Sequence, residues 1–304
     1  MPGLPFDPKA AVSYGRFVNA AYMMYGADPA NLTPRPSNDF PQDYELSAWV
    51  QMQDFILDST APVFYGFIAH SNQNPNQAVL AIRGTSNGVE WWDDSNSLGL
   101  APFKVPNCGY VGLGFARIYD TLEIIERPPS VAGLAAATPH SLKQVGSFSA
   151  QVAAHLSRHA QASVSTRGAA AAPSIVVTGH SLGSALATYY AAENALVDKV
   201  QNPALCTFAS PKVGDQTFVG VFNGLGLTSW RVVNKQDIVP YLPPLFSHHV
   251  DTEQLYDSDN LVQPGFGCWH ALTTYLHLID PSLPLNGCVP QPHPATSSVT
   301  DWAE

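Results

Sequence analysis

The run SIVVTGHSLGSALATYYAAENALV, Ser174 to Val197, constrains the fold more than any other part of the chain. Its opening, with Ile175, Val176 and Val177, is rich in β-branched residues and suits a buried strand. From Ser184 onward the composition is that of a helix. Between them, Gly179-His180-Ser181-Leu182-Gly183 must turn the strand directly into the helix. Glycines at 179 and 183 remove side chains where the two elements meet. Ser184, Ala185 and Ala187 keep the first helical turns thin, so the helix axis can approach the sheet. A strand joined to a helix in this way belongs to a layered α/β arrangement.

The same alternation continues downstream. ALCTFAS reads as a strand, DQTFVGVFNGL as a helix and WRVVN as a strand. Strands separated by helices predict a mostly parallel central sheet with helices on both faces. Upstream, Ala10 to Tyr25 places Val12, Phe17, Ala20, Ala21 and Met24 at helical spacing. VFYGFIA and AVLAIR read as strands joined through the hairpin-like turn SNQNPNQ. Leu46 to Leu57, Phe115 to Ile125 and Leu142 to His159 read as helices, and SVSTRGAAAAP as a loop of small residues.

The 304 residues, 45% hydrophobic and 12% charged, can build one large core, and no linker divides them. A single domain over residues 1–304 is expected, with a loose tail from about residue 290. The net charge of −10 is spread along the chain, so no basic footprint for a nucleic-acid partner is visible. No apolar stretch reaches the length of a transmembrane segment. MPGLPFDPKAAVSYGRF has neither the basic start nor the apolar block of a secretory signal, which predicts a cytosolic protein or the mature form of a secreted one. Of the four cysteines, Cys206 reads as a buried free thiol, and Cys268 with Cys288 is the pair to expect as a disulfide.

G-x-S-x-G occurs twice, as Gly84-Thr85-Ser86-Asn87-Gly88 and around Ser181. A nucleophile elbow needs a strand, a tight turn and a closely packed helix. Ser181 has all three. Ser86 is followed by Asn87 and Gly88, poor helix starters, and reads as a turn residue. A serine attacking a carbonyl also needs two donors for the oxyanion, one from the residue after the nucleophile and one from a loop after an earlier strand. Leu182 fills the first position. Thr85, at the end of AVLAIR, fills the second and adds a hydroxyl.

The serine further requires an imidazole base oriented by a carboxylate. Asp237, in VVNKQDIVPYLPP, lies just past a strand, where loops face substrate. Asp215 competes but is placed to cap a helix. Among the later histidines, His248 and His249 sit beside a proline-rich turn and His277 lies within an apolar helix. His270 follows a glycine-rich loop and opens that helix, which makes it the candidate base.

AIRGTS, VTGHSLGSALA, FASPKVGD, VNKQDIVPYLPP and the closing H-A-L-x-x-Y-L stand in an order that resembles the class 3 lipases, the family of small secreted fungal triacylglycerol lipases. The resemblance spans about Phe64 to Leu278 and implies an α/β-hydrolase fold. It implies Ser181, Asp237 and His270 as triad, and Thr85 with Leu182 as oxyanion hole. The implied activity is hydrolysis of lipid carboxylic esters through an acyl-enzyme, most simply of triacylglycerols, with no metal or cofactor required. Phospholipase A1 and feruloyl-type esterase activity are the enzymatic alternatives; a lipase-fold binding module without chemistry is the non-enzymatic one. A secreted location is also implied.

The family further implies a short lid after the RGT strand, here about residues 86–104, that opens at a lipid–water interface. Trp91 and Trp92 in VEWWDD could enter that interface, or one of them could belong to the core. Leu242, Leu245 and Phe246 are candidates to line the acyl cleft. One departure stands out: where the family carries V-H-x-G-F, this chain has Val111-Gly112-Leu113-Gly114-Phe115.

Overall fold

The computed structural model describes residues 4–53, 61–85, 99–128, 138–167, 173–200, 203–244, 247–250 and 252–290. Its centre is a nine-stranded sheet in the order β11-β10-β9-β8-β3-β2-β1-β6-β7. The strands are β1 (Tyr44–Gln53), β2 (Pro62–Ser71), β3 (Gln77–Ile82), β6 (Glu123–Glu126), β7 (His140–Ser141), β8 (Ser174–His180), β9 (Ala204–Phe208), β10 (Ser229–Asn234) and β11 (Thr252–Tyr256). From β11 to β3 every neighbouring pair is parallel. From β3 to β7 every pair is antiparallel. A separate two-stranded ribbon joins β4 (Leu100–Pro102) to β5 (Tyr110–Gly112).

The two faces are covered by different helices. One core joins α1 (Pro8–Ala27) and α7 (Leu272–Ile279) to Val79, Ala81, Val176, Phe208 and Val232. The other joins α2 (Leu113–Tyr119), α3 (Phe148–Arg167), α4 (Leu182–Glu193) and α5 (Gln216–Gly224) to Ala78, Leu80, Ile82, Ile175 and Val177. Residues 78 to 82 alternate between the cores because successive strand side chains point to opposite faces. The expected sheet covered on both sides is therefore present, as are the strands and helices expected from Ile175 to Asn234. Among the described residues no helix is long and apolar enough to cross a membrane.

Three expected helices are corrected. Leu46 to Gln53, the described part of the first, belongs to strand β1. Register shifts between Leu46 and Ala48 and between Val50 and Gln51 break the two-residue alternation, so Leu46 and Trp49 face one core while Ala48, Val50 and Met52 face the other. Bulges of this kind disguise a strand as a continuous apolar run. The second, Phe115 to Ile125, is split. Helix α2 ends at Tyr119, and Ile124 and Ile125 pair with β1 as strand β6. The third starts later than expected, because Gly146 at φ 129° cannot be helical, and α3 runs from Phe148 to Arg167 into the expected loop. Strand β11 and the β4–β5 ribbon were not expected.

Helix α1 is capped as its sequence suggests. The Asp7 carboxylate accepts hydrogen bonds from the Lys9 and Ala10 amides, and Pro8 occupies the first turn. Cys268 and Cys288 form a disulfide, and Cys206 is a buried thiol outside any disulfide. Cys108 is buried and likewise outside any disulfide. The first part of the expected lid span, with Trp91 and Trp92, lies outside the described residues. Its later part contains strand β4.

Candidate active site

Strand β8 ends at His180 and α4 begins at Leu182, so Ser181 is the single residue between strand and helix. Its backbone has φ 56° and ψ −126°, a conformation that costs an L-residue about 1–3 kcal/mol. The turn is held by Ser181 N–H donating to Phe208 O at 3.0 Å and Ser184 N–H donating to Ser181 O at 2.9 Å. Both glycines are obligatory in this geometry. A Cβ on Gly183 would lie 2.3 Å from Ile82 O, and one on Gly179 2.3 Å from Gly183 O. These contacts are the physical content of the G-x-S-x-G spacing.

Asp237 follows β10 and His270 closes the short helix α6 (Phe266–His270). His270 was expected to open a helix; instead α7 starts after Ala271. The structure brings Ser181, Asp237 and His270 together. Ser181 Oγ lies 2.9 Å from His270 Nε2, and His270 Nδ1 lies 2.7 Å from Asp237 Oδ2. The carboxylate can only accept, so Nδ1 carries the proton and Nε2 presents its lone pair to the serine hydroxyl. Asp237 is 1% exposed and saturated with donors: Oδ1 accepts from Val239 N–H at 3.0 Å, and Oδ2 accepts a second bond from Tyr275 Oη at 2.7 Å. Such an arrangement can accept the serine proton and stabilise the resulting imidazolium.

The loop expected to supply the second oxyanion donor abuts the serine. A Cβ on Gly84 would lie 2.9 Å from Ser181 Cβ. Arg83, 2% exposed, donates from Nη1 to Gly84 O at 2.7 Å and from Nε and Nη2 to Phe64 O, beneath the Tyr25 and Tyr65 rings. Gly84 N–H donates to Tyr22 Oη at 2.7 Å. Both peptide groups flanking Gly84 are thus tied down. Thr85 Oγ1 is buried and has no hydrogen-bond partner among the described residues, which leaves it a donor for a further group. Leu182 occupies the first turn of α4, where helical amides lack intrahelical acceptors.

The other candidates have structural tasks. Asp215 caps α5 by accepting from Phe218 N–H. The His277 ring donates to Leu283 O, and His249 Nε2 donates to Pro240 O. His248 joins the backbone ladder through Gly214. Leu242 packs against the core on the α2–α5 face and accepts from Lys212 N–H through its carbonyl. Ser86, Leu245 and Phe246 lie outside the described residues.

Sequence reasoning missed Tyr22, Arg83, His180 and Tyr275. His180 Nδ1 lies 2.8 Å from Tyr22 Oη, and its Nε2 2.8 Å from the His270 carbonyl oxygen. His180 and Arg83 stand inside the quoted motifs, so their position was a signal. Tyr22 and Tyr275 carry none, since each reads as one more apolar helix residue.

Comparison with solved structures places this architecture among the fungal lipases of the α/β-hydrolase fold. Rhizopus niveus lipase II matches with a TM-score of 0.54 over 82% of this chain and 80% of that one, at 19% identity. The Rhizomucor miehei lipase–propeptide complex matches with a TM-score of 0.56 over 83% and 70%, at 22% identity. The model of the class 3 lipases matches residues 79–247, more than half the sequence, and the chain belongs to that family. Its curated relatives include phospholipase A1-II 3 of Oryza sativa subsp. indica, 34% identical over 69% of this chain and 50% of that protein. Chloroplastic phospholipase A1-Igamma3 of Arabidopsis thaliana is 30% identical over 88% and 60%. For the first relatives matched, the chain spans half of their length or less.

Proposed function

We propose that the protein hydrolyses carboxylic esters of lipids, with Ser181 as nucleophile, His270 as general base and acid, and Asp237 as the group that orients and charge-balances the imidazole. The observation that carries this reading is the position of His270, 2.9 Å from the serine oxygen and 2.7 Å from a buried carboxylate. His270 Nε2 takes the Ser181 proton as Oγ attacks the ester carbonyl. The tetrahedral oxyanion is held by the Leu182 N–H and by Thr85, through its N–H and its hydroxyl, which has no partner among the described residues. Collapse expels the alcohol, which receives the proton from His270. Water then attacks the acyl-enzyme by the same sequence and releases the fatty acid.

Two substrate readings follow. Triacylglycerol hydrolysis is the activity implied by resemblance to the fungal lipases. Phospholipid acyl-ester cleavage is supported by the sequence relatives named phospholipase A1, one of them 42% identical over 113 residues. Sequence identity of that order speaks more directly to chemistry than a shared fold does, and we favour the phospholipid reading.

The test is fatty-acid release from phosphatidylcholine vesicles and from triolein emulsion, with Ser181→Ala alongside. Faster release from phosphatidylcholine, abolished in the variant, supports the favoured reading. Release from triolein alone supports the other. Activity that survives Ser181→Ala removes both.

A further inference from the structure

The protons around His180 are fully determined. The His270 carbonyl can only accept, so His180 holds its hydrogen on Nε2 and donates across 2.8 Å. In the neutral ring, Nδ1 is then a bare acceptor, filled by the Tyr22 hydroxyl at 2.8 Å. Tyr22 Oη in turn accepts the Gly84 N–H at 2.7 Å. The result is one directional chain, from Gly84 N–H through Tyr22 O–H and His180 N–H to the His270 carbonyl. It starts at the residue before Thr85, passes through the residue before Ser181 and ends on the backbone of the base.

We infer that Tyr22 and His180 act as a positioning relay that sets the oxyanion-hole loop and the catalytic base at a fixed distance from one nucleophile. Tyr22 belongs to α1, far outside the 79–247 segment that defines the family. The N-terminal helix therefore reaches the site through the Tyr22 hydroxyl, beside the Tyr25 ring that covers Arg83. Tyr22 is half-buried and packs against the α1 face of the core. His180 is 4% exposed, its ring 4.7 Å from that of His270 and 5.7 Å from that of Tyr22. Burial, with His270 next to it, holds the His180 imidazole well below its usual range, which keeps the ring neutral and the direction of the chain constant. Burial likewise pushes the Tyr22 hydroxyl up, so it remains a donor. Neither side chain reaches Ser181 Oγ by hydrogen bond, so both work through the groups they hold. A displacement of the order of 1 Å between reacting groups costs about 10²-fold in rate.

This inference rests on the proposed roles of Ser181, His270 and Thr85, and its test separates the two. Tyr22→Phe, His180→Leu, His180→Gln and the Tyr22→Phe/His180→Leu pair are assayed on p-nitrophenyl butyrate, with folding followed by circular dichroism. Tyr22→Phe removes one oxygen and no bulk. The relay predicts that kcat falls about 10- to 100-fold in each of Tyr22→Phe and His180→Leu while KM changes less than about threefold. The pair should lose scarcely more than either alone, because both break the same chain. Glutamine offers one acceptor and one donor, so His180→Gln should recover part of the activity lost in His180→Leu. Tyr22→Phe with unchanged kcat, or losses that simply multiply in the pair, overturns the relay and leaves the triad standing. Undiminished hydrolysis in Ser181→Ala overturns the triad and the relay with it.

Discussion

Tyr275 donates its hydroxyl hydrogen to Asp237 Oδ2 at 2.7 Å, onto the same oxygen that receives the His270 ring. Burial and the adjacent carboxylate hold the Tyr275 hydroxyl well above its usual range, so it stays a donor at any working pH. A carboxylate that is 1% exposed depends on such donors, since no water replaces a lost one. Tyr275→Phe should therefore destabilise the fold by about 1.5–3 kcal/mol, the value of a hydrogen bond to a charged group. Urea denaturation with unchanged m measures it. An unchanged midpoint would mean that the hydroxyl is expendable.

Asp237→Asn probes orientation rather than charge alone. An amide can donate to Nδ1, which moves the ring proton to Nε2 and turns the lone pair away from Ser181. In triads of this geometry that change costs about 10⁴-fold in kcat. Burst kinetics with a p-nitrophenyl ester should show slowed acylation in a folded variant. Near-parental acylation would remove Asp237 from the proposed triad.

The Cys268–Cys288 disulfide closes a loop of sequence separation 20 that contains His270 and all of α7. Chain-entropy reasoning gives a cross-link of this span about 3 kcal/mol. The Cys268→Ser/Cys288→Ser double variant should lose about that much stability. It should also turn over more slowly, because Cys268 lies on α6 two residues before His270, the proposed base. Denaturation and initial rates, compared with parent protein treated with reductant, test both effects. Equal stability of the double variant and the oxidised parent would contradict the first.

At the opposite end of the sheet a cavity of about 750 Å³ is lined by Glu45, Ser47, Glu126, Arg127 and Arg158 around three histidines, His70, His155 and His159. The rings of His70 and His159 stack at 3.5 Å, and burial followed by these two neighbours pulls His70 down to about 3. The unfolded chain takes up this proton below about pH 6.5, whereas the folded chain does not until about pH 3. The contribution of His70 is thus complete above pH 6.5 and is lost as the pH falls towards 3. Between pH 7 and pH 5 it amounts to about 2 kcal/mol. His70→Gln should flatten the fall in stability over that interval by about this amount, and an identical pH slope in parent and variant would contradict the assignment.

The strand–turn–helix around Ser181 and the position of Asp237, the proposed acid, were legible in the sequence because both are set locally. Gly179, Ser181 and Gly183 announce a turn that only small residues permit, and Asp237 stands immediately past a strand whose end is read from its own apolar run. His270 was singled out by elimination and by its glycine-rich approach, and Cys268 with Cys288 because they bracket a C-terminal helix. Strand β1 was hidden because its bulges scramble the period, and β6 because Ile124 and Ile125 become a strand only once β1 is beside them.

Short-range spacing thus determined the turn at Ser181, the alternation of strand and helix, and the residue types of the proposed triad. Tertiary structure alone decided which side chains hold those groups in place. Tyr22 meets His180 across 158 residues, Tyr275 meets Asp237 across 38 and Arg83 meets Phe64 across 19. A hydroxyl or guanidinium has no periodicity of its own. For the tyrosines the partner is set by the stacking of α1 and α7 on the sheet, and for Arg83 by the pairing of β3 with β2; both depend on burial summed over the whole core rather than on any neighbouring residue.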